Sequence, residues 1–155
     1  MFALKLAQVS GMRIILSSSS DDKLKKIKRR FPDSPIQTVN YAKSADWHEE
    51  VLHLTNGIGV DLVVEVGGTS SLVKSMKCTR RGGIVSSVGY LSKQNLDGFK
   101  DLLSVLIDRR IVLRYVDGSA AGSCSADLHK RYQCWLKARP RRSLRCTCSN
   151  KTSVR

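Results

Sequence analysis

The sequence contains no apolar run approaching the ~20 residues that a membrane-crossing helix needs, which excludes such a helix from its reading. Nor does its first stretch, MFALKLAQVSGMR, show the order of basic, apolar and small residues that marks a secretory signal. Paired C-x2-C spacing is missing too. The cysteines are Cys78, Cys124, Cys134, Cys146 and Cys148, and the last four run C-x9-C-x11-C-x-C, unlike common zinc sites. An odd number with no export signal points to thiols rather than a disulfide framework. The expectations are therefore no zinc site, no membrane, and a cytoplasmic location.

Acidic residues are scarce: 13 Asp and Glu stand against 27 Lys and Arg, for a net charge of +14. The excess is uneven. Residues 1–114 hold 18 basic and 11 acidic residues, whereas the much shorter 115–155 hold 9 and 2. Phosphate contacts to nucleic acid are one reading of such a tail. A solvated, poorly ordered extension is the other and is favoured by composition, so nucleic acid is not the expected partner.

What is present is a regular alternation. A length of 155 residues with 41% apolar content suits a single domain with a core. Short β-branched runs occur at Arg13–Ser18, Ile36–Asn40, Asp61–Val66, Ile84–Gly89 and Ile111–Leu113. Each is apolar on both faces and bounded by Gly, Ser, Pro or Asp, as strands of a covered parallel sheet are. Helical patterns fill the intervals. Phe2 to Val9 is closed by Gly11, and Asp21-Asp22 opens a helix with Leu24 and Ile27 inward and a basic end. Further stripes are Trp47, Val51 and Leu54; Leu72, Val73 and Met76; and Leu102, Leu103, Leu106 and Ile107, the strongest. Strand and helix in turn predict a doubly wound parallel α/β sheet over residues 1–114. Beyond it, residues 115–155 read as a divergent basic tail: Leu128, Tyr132 and Trp135 could line a helix, and RRSLRCTCSNKTSVR reads as disordered.

In such a sheet the ligand lies beyond the carboxyl ends of the strands. After the first strand come Ser17-Ser18-Ser19-Ser20 and Asp21-Asp22-Lys23. A fold that prefers NAD usually places a carboxylate here for the ribose 2′-OH; serines with a nearby ammonium suit a 2′-phosphate instead. The alternative is a serine-rich turn with an ordinary helix cap, which composition alone favours. Gly67-Gly68 and Gly89 follow later strands, where glycine lets a ligand approach the backbone. Gly57, Gly59, Gly82 and Gly83 precede strands and read as structural turns.

The order SSSSDDKL, TVNY, W-x2-EV-x-x-LTNGIGVDLVVEVGG and GGIVSSVGYLS closely resembles the zinc-type (medium-chain) alcohol dehydrogenase and quinone oxidoreductase superfamily, over about residues 2–114. The resemblance implies a Rossmann-type coenzyme domain. It also implies hydride transfer between NAD(P) and a carbonyl, alcohol or activated alkene. By position, Ser18 stands where NAD-preferring members carry their acid. Ser19, Ser20, Lys23 and Tyr41 match positions that hold the adenosine 2′-phosphate. Gly67 and Gly68 correspond to the strand end beside the coenzyme ribose, and Val88, Gly89 and Tyr90 to the segment near the nicotinamide. NADP is thereby favoured over NAD. Related domains pair through the edge strand near Ile111–Leu113, so a homodimer is implied.

Departures from the family pattern narrow these expectations. By the family pattern the glycine-rich turn that holds the pyrophosphate is expected just before Met1, and the catalytic domain before that, so no catalytic residue can be named. Lys25 to Pro35 is a few residues longer than the pattern, enough to shift Tyr41 relative to Lys23, and Arg81 stands where proline is usual. The sheet is expected to lack its first strand, the central one in the order 3-2-1-4-5-6. Unpaired buried backbone groups cost about 1–3 kcal/mol each, against a typical net stability of ~5–15 kcal/mol. Direct pairing across the gap, or marginal folding, is the expected outcome. The functional readings are a coenzyme-binding fragment of an NADP-dependent oxidoreductase, an inactive remnant or binding module, or a basic nucleic-acid-associated protein.

Overall fold

The computed structural model describes residues 2–88, 99–116 and 145–149. The order of elements is α1 (Phe2–Val9), β1 (Arg13–Ser18), α2 (Asp21–Arg30), β2 (Ile36–Asn40), α3 (Trp47–Leu54), β3 (Val60–Glu65), α4 (Thr69–Lys77), β4 (Thr79–Val88), α5 (Leu102–Arg109), β5 (Val112–Val116) and β6 (Arg145–Ser149). All six strands lie in one sheet of order β2-β1-β6-β3-β4-β5, and every pairing is parallel.

Why the middles of β1, β3 and β4 are apolar on both faces is now visible. Ile14 and Leu16 of β1, Leu62 of β3 and Ile84 of β4 join Leu4, Ala7 and Leu24 in a core on the face of α1 and α2. Their neighbours Ile15, Val63 and Val85 point the other way, into a core with Trp47, Val51, Leu72, Met76 and Ile111 beneath α3, α4 and α5. With both faces covered, the period-2 alternation separates two cores rather than core from water. Val51, Val60, Val85 and Met76 are fully buried, and each such side chain contributes about 1.5–3 kcal/mol.

α2 follows local rules. Ser20 caps it by accepting from the Lys23 N–H at 3.5 Å, two aspartates sit in the first turn, and Lys28, Arg29 and Arg30 in the last, as the dipole favours. α5 uses only half of its apolar stripe. Leu102 and Leu106 pack on the second core, while Leu103 and Ile107 stay exposed, because the helix covers the margin of the sheet where β5 is the last strand.

Between β3 and β4 the register slips: Val60 pairs with Thr79, but Leu62 with Ile84. The extra residues of β4 form a bulge containing Arg81, Gly82 and Gly83. Arg80 closes it with Nε 2.5 Å from Asp61 Oδ1, and Arg81, in the usual proline position, reaches Asp108 at 2.9 Å.

Within the segment RRSLRCTCSNKTSVR, Arg145–Ser149 departs from its expected disorder. Arg145–Ser149 forms β6, which lies between β1 and β3 and is parallel to both. Ile15 and Val63 both pair with Thr147, so β1 and β3 do not close on each other. β6 therefore holds the central place that the order 3-2-1-4-5-6 gives to a first strand. Arg145-Cys146-Thr147-Cys148-Ser149, with one β-branched residue, is too short and polar to be read as a strand from sequence. Two open parallel edges supply the backbone partners that decide it. The helix expected around Leu128, Tyr132 and Trp135 lies outside the described residues.

Candidate functional site

Because all strands run the same way, their carboxyl ends form one rim, divided by β6 into a β1–β2 side and a β3–β4 side. On the first side, Ser18 ends β1 and is buried, its Oγ accepting from the Ser20 N–H at 3.3 Å. Ser19 is exposed, Ser20 is half-buried at the cap of α2, and Lys23 is exposed one turn into the helix. Small residues suit this segment because the chain must leave the sheet and start a helix within two residues, and serine hydroxyls satisfy the freed amides.

Tyr41 continues the β1–β2 ladder by donating its N–H to the Ser18 carbonyl at 3.1 Å. Its side chain packs against the second core. The alternation along β2 instead turns Asn40 toward α2, where its Nδ2 donates to Asp21 Oδ1 at 2.6 Å. Lys43 completes the group, Nζ lying 2.5 Å from Asp21 Oδ2. The Lys43 ammonium, then the Asn40 amide, hold the Asp21 carboxyl below its usual range, and Asp21 in turn holds the Lys43 ammonium above its own. Asn40 and Lys43 were not singled out from sequence; the period of β2, one step before Tyr41, was the signal for Asn40.

On the second side, Gly67 and Gly68 are buried between β3 and α4. Gly68 precedes α4 with φ of 83°, a left-handed conformation that costs glycine nothing, and its carbonyl accepts from the Ser71 and Leu72 amides at 3.1 and 2.9 Å. Gly67 donates its N–H to Glu65 Oε1 at 2.6 Å. That carboxylate is fully buried and also accepts from the hydroxyls of Ser71, at 2.7 Å, and Ser75. A Cβ on Gly67 would stand 2.1 Å from Ser71 Oγ, so only glycine fits. Nearby, burial pushes the Cys78 thiol up to about 12, and the charge of Glu65 adds to the rise. Glu65, Ser71 and Ser75 were also missed, although an acid enclosed by valines in LVVEV was a visible sign of a buried, partnered carboxylate.

Val88 ends β4 half-buried, paired with Val116. Gly89 and Tyr90 lie outside the described residues. The structure thus gathers Ser18, Ser19, Ser20, Lys23 and the Tyr41 backbone on one side of the rim, and Gly67, Gly68 and Val88 on the other. Among the described residues no three His, Cys, Asp or Glu side chains are grouped so as to hold a metal ion, and no helix is long and apolar enough to cross a membrane.

The chemistry available on the first side is that of donors and positive charge at a strand end, which fits the phosphate and ribose of a nucleotide. Residues 1–134 match the model of the zinc-binding dehydrogenase family. A zinc-type alcohol dehydrogenase-like protein of Schizosaccharomyces pombe is 31% identical over 125 residues, which is 80% of this chain and 34% of that protein. The chain thus spans about a third of the length of this curated relative. Among solved structures, an NAD-dependent alcohol dehydrogenase superposes with a TM-score of 0.64 at 25% identity, covering 87% of this chain and 36% of that one. The nucleotide-binding subdomain of the enoylreductase domain of PpsC from Mycobacterium tuberculosis superposes at 0.56 and 22% identity, covering 87% of this chain and 70% of that one. The strand β6 falls beyond the residues that the family model matches. The chain belongs to the zinc-binding dehydrogenase family, and its parallel sheet is the Rossmann-type fold of that family's coenzyme-binding domain.

Proposed function

We propose that this chain binds the adenosine end of NADP at the β1–β2 rim and serves as the coenzyme-binding part of an oxidoreductase. The observation that carries this reading is the buried Ser18 at the end of β1, where a carboxylate would otherwise receive the ribose 2′-OH. The first carboxylate after it in the chain, Asp21, has both oxygens engaged by Asn40 and Lys43. Lys43 and Lys23 bring ammonium groups to the same rim, and a 2′-phosphate needs such counter-charge.

In the family pattern Tyr41 joins Ser19, Ser20 and Lys23 at the 2′-phosphate, Gly67 and Gly68 would lie beside the coenzyme ribose, and Val88, Gly89 and Tyr90 would lie near the nicotinamide. Hydride transfer to a carbonyl, alcohol or activated alkene is the reaction this coenzyme would serve, and a cytoplasmic enzyme is the setting we infer. The exposed Val112, Leu113 and Tyr115 on the last strand of the sheet support pairing with a second copy along β5. Calorimetric titration of the full chain with 2′,5′-ADP, 5′-ADP, NADPH and NADH tests the reading. Tighter binding of the 2′-phosphorylated member of each pair is expected; equal or tighter binding of 5′-ADP and NADH would overturn the preference for NADP. Binding of none of the four overturns the coenzyme reading.

A further inference from the structure

Glu65 presents a problem that neither the core nor the adenosine end explains. Its side chain is fully buried, and three donors converge on it: the Gly67 amide, the Ser71 hydroxyl and the Ser75 hydroxyl. All three donors are neutral. Filling such a position with apolar side chains generally stabilises a fold as well or better, so burial alone does not call for a carboxylate.

What a carboxylate adds is direction. Oε1 ties the backbone of Gly67 and the first turn of α4 to one atom, and Oε2 reaches a further turn along the helix to Ser75. Gly67 cannot retreat, because its α-carbon already sits against Ser71. Immediately after it, Gly68 turns the chain through a left-handed conformation into α4. The two-glycine turn is therefore held from below at a single point. β3 is the first strand beyond the centre of the sheet, so this turn borders the crevice of the second nucleotide half.

We propose that Glu65 is a positioning residue: through Gly67 and Ser71 it fixes the height of the Gly67-Gly68 turn against the nicotinamide half of the dinucleotide. This rests on the coenzyme reading and goes beyond it, since Glu65 itself need not touch the ligand. The two ends of the coenzyme separate this role from a merely structural one. Loss of stability weakens binding of the whole dinucleotide and of its adenosine end alike, whereas a misplaced turn weakens only the former.

The experiment compares NADPH with 2′,5′-ADP on the full chain, for wild type, Glu65→Leu, Glu65→Gln and Ser71→Ala, with thermal unfolding alongside. Wild type is expected to bind NADPH more tightly than 2′,5′-ADP. Glu65→Leu should erase most of that advantage, about tenfold, while changing 2′,5′-ADP binding by less than about twofold. Glu65→Gln should restore it, because the amide oxygen can still accept from Gly67 while its NH2 donates to a serine oxygen. Ser71→Ala should lower the advantage by a smaller factor and supplies the answer if the leucine variant does not fold. A parallel loss of both ligands that tracks the fall in Tm would overturn the proposal, as would an unchanged ratio in Glu65→Leu or, where that variant is unfolded, in Ser71→Ala. Wild type without any NADPH advantage overturns it while leaving adenosine binding intact; wild type that binds neither ligand removes the coenzyme reading as well.

Discussion

Lys43 reaches across from the end of β2 to Asp21 at the start of α2, Nζ to Oδ2 at 2.5 Å, and so ties the second strand to the helix that follows the first. The pair sits beside the Ser18–Ser20 turn, where the proposed 2′-phosphate would compete with Asp21 for the same ammonium. Replacing Lys43 by alanine should weaken 2′,5′-ADP about tenfold, the order of one charge-assisted hydrogen bond. Binding of 5′-ADP should change little. Asp21→Asn should act oppositely by releasing Lys43, and calorimetry with the two nucleotides reads both effects.

The same pair sets a pH window. The folded-state pKa of Asp21 is lowered from 3.8 and that of Lys43 raised from 10.5, each mainly by hydrogen bonding to the other. Asp21 therefore adds stability above its unfolded pKa, lost as pH falls through its lower folded value; Lys43 adds stability below 10.5, lost as pH rises through its higher folded value. The Tm difference between wild type and Lys43→Ala should be flat between these limits and shrink beyond them. Both groups are exposed, so the difference is small and salt-sensitive.

His48 bears on milder acid. Its Nδ1 is buried without a hydrogen-bond partner among the described residues, and burial holds its pKa below 6.5 despite the neighbouring Asp46 and Glu49. Protons then bind the unfolded chain first, so stability is full above pH 6.5 and falls as pH drops toward the lower folded value. Thermal melts from pH 8 to about 5 should show this loss, and His48→Phe should flatten the slope in that range.

Met76 tests the second core. It is fully buried among residues of the α4 face, and Met76→Ala removes most of a side chain that nothing can replace. A loss of about 2–5 kcal/mol is expected by urea unfolding. A change below ~1 kcal/mol would mean that this core is loosely packed.

Thr147 occupies the middle of β6, in register with Ile15 on one side and Val63 on the other. Thr147→Pro removes a backbone donor from a central strand, a place where proline is not tolerated. Hydrogen exchange at Ile15 and Val63 should then accelerate toward the unfolded rate, whereas α2 and β2 should respond only through global stability. Unchanged protection at both residues would show that β6 does not hold the sheet together.

The sequence made some elements plain and hid others for physical reasons. β1 and β2 are bounded as expected because Gly11 and Ser19 flank β1 and Pro35 precedes β2, and the apolar pattern of β1 declares a sheet covered on both sides. β3 starts one residue early and β4 five, since the bulge at Arg80–Gly83 lets glycine and arginine extend a strand that composition ends at Ile84. Ser18 and Gly67 stood out because strand ends in this fold face ligand. Glu65 and Lys43 did not, because their partners lie on other elements: Ser71 and Ser75 one helix on, Asp21 one helix back. β6 was the least legible. Its strand character comes from two waiting edges rather than from its own residues, and no local pattern contains that information.

A ribosome makes the central strand of this sheet last. By the time Val116 has emerged, β2-β1 and β3-β4-β5 can each have paired, yet no strand pairing links the two groups until Arg145–Ser149 arrives. β6 thus pairs with strands far from it in sequence, and contacts of large sequence separation form slowly. During that interval the inner margins of β1 and β3 are open parallel edges, the kind of surface that chaperones cover and that aggregation uses. The yield of folded chain should accordingly depend on how soon those thirty-odd further residues follow, roughly seconds at ordinary rates of synthesis.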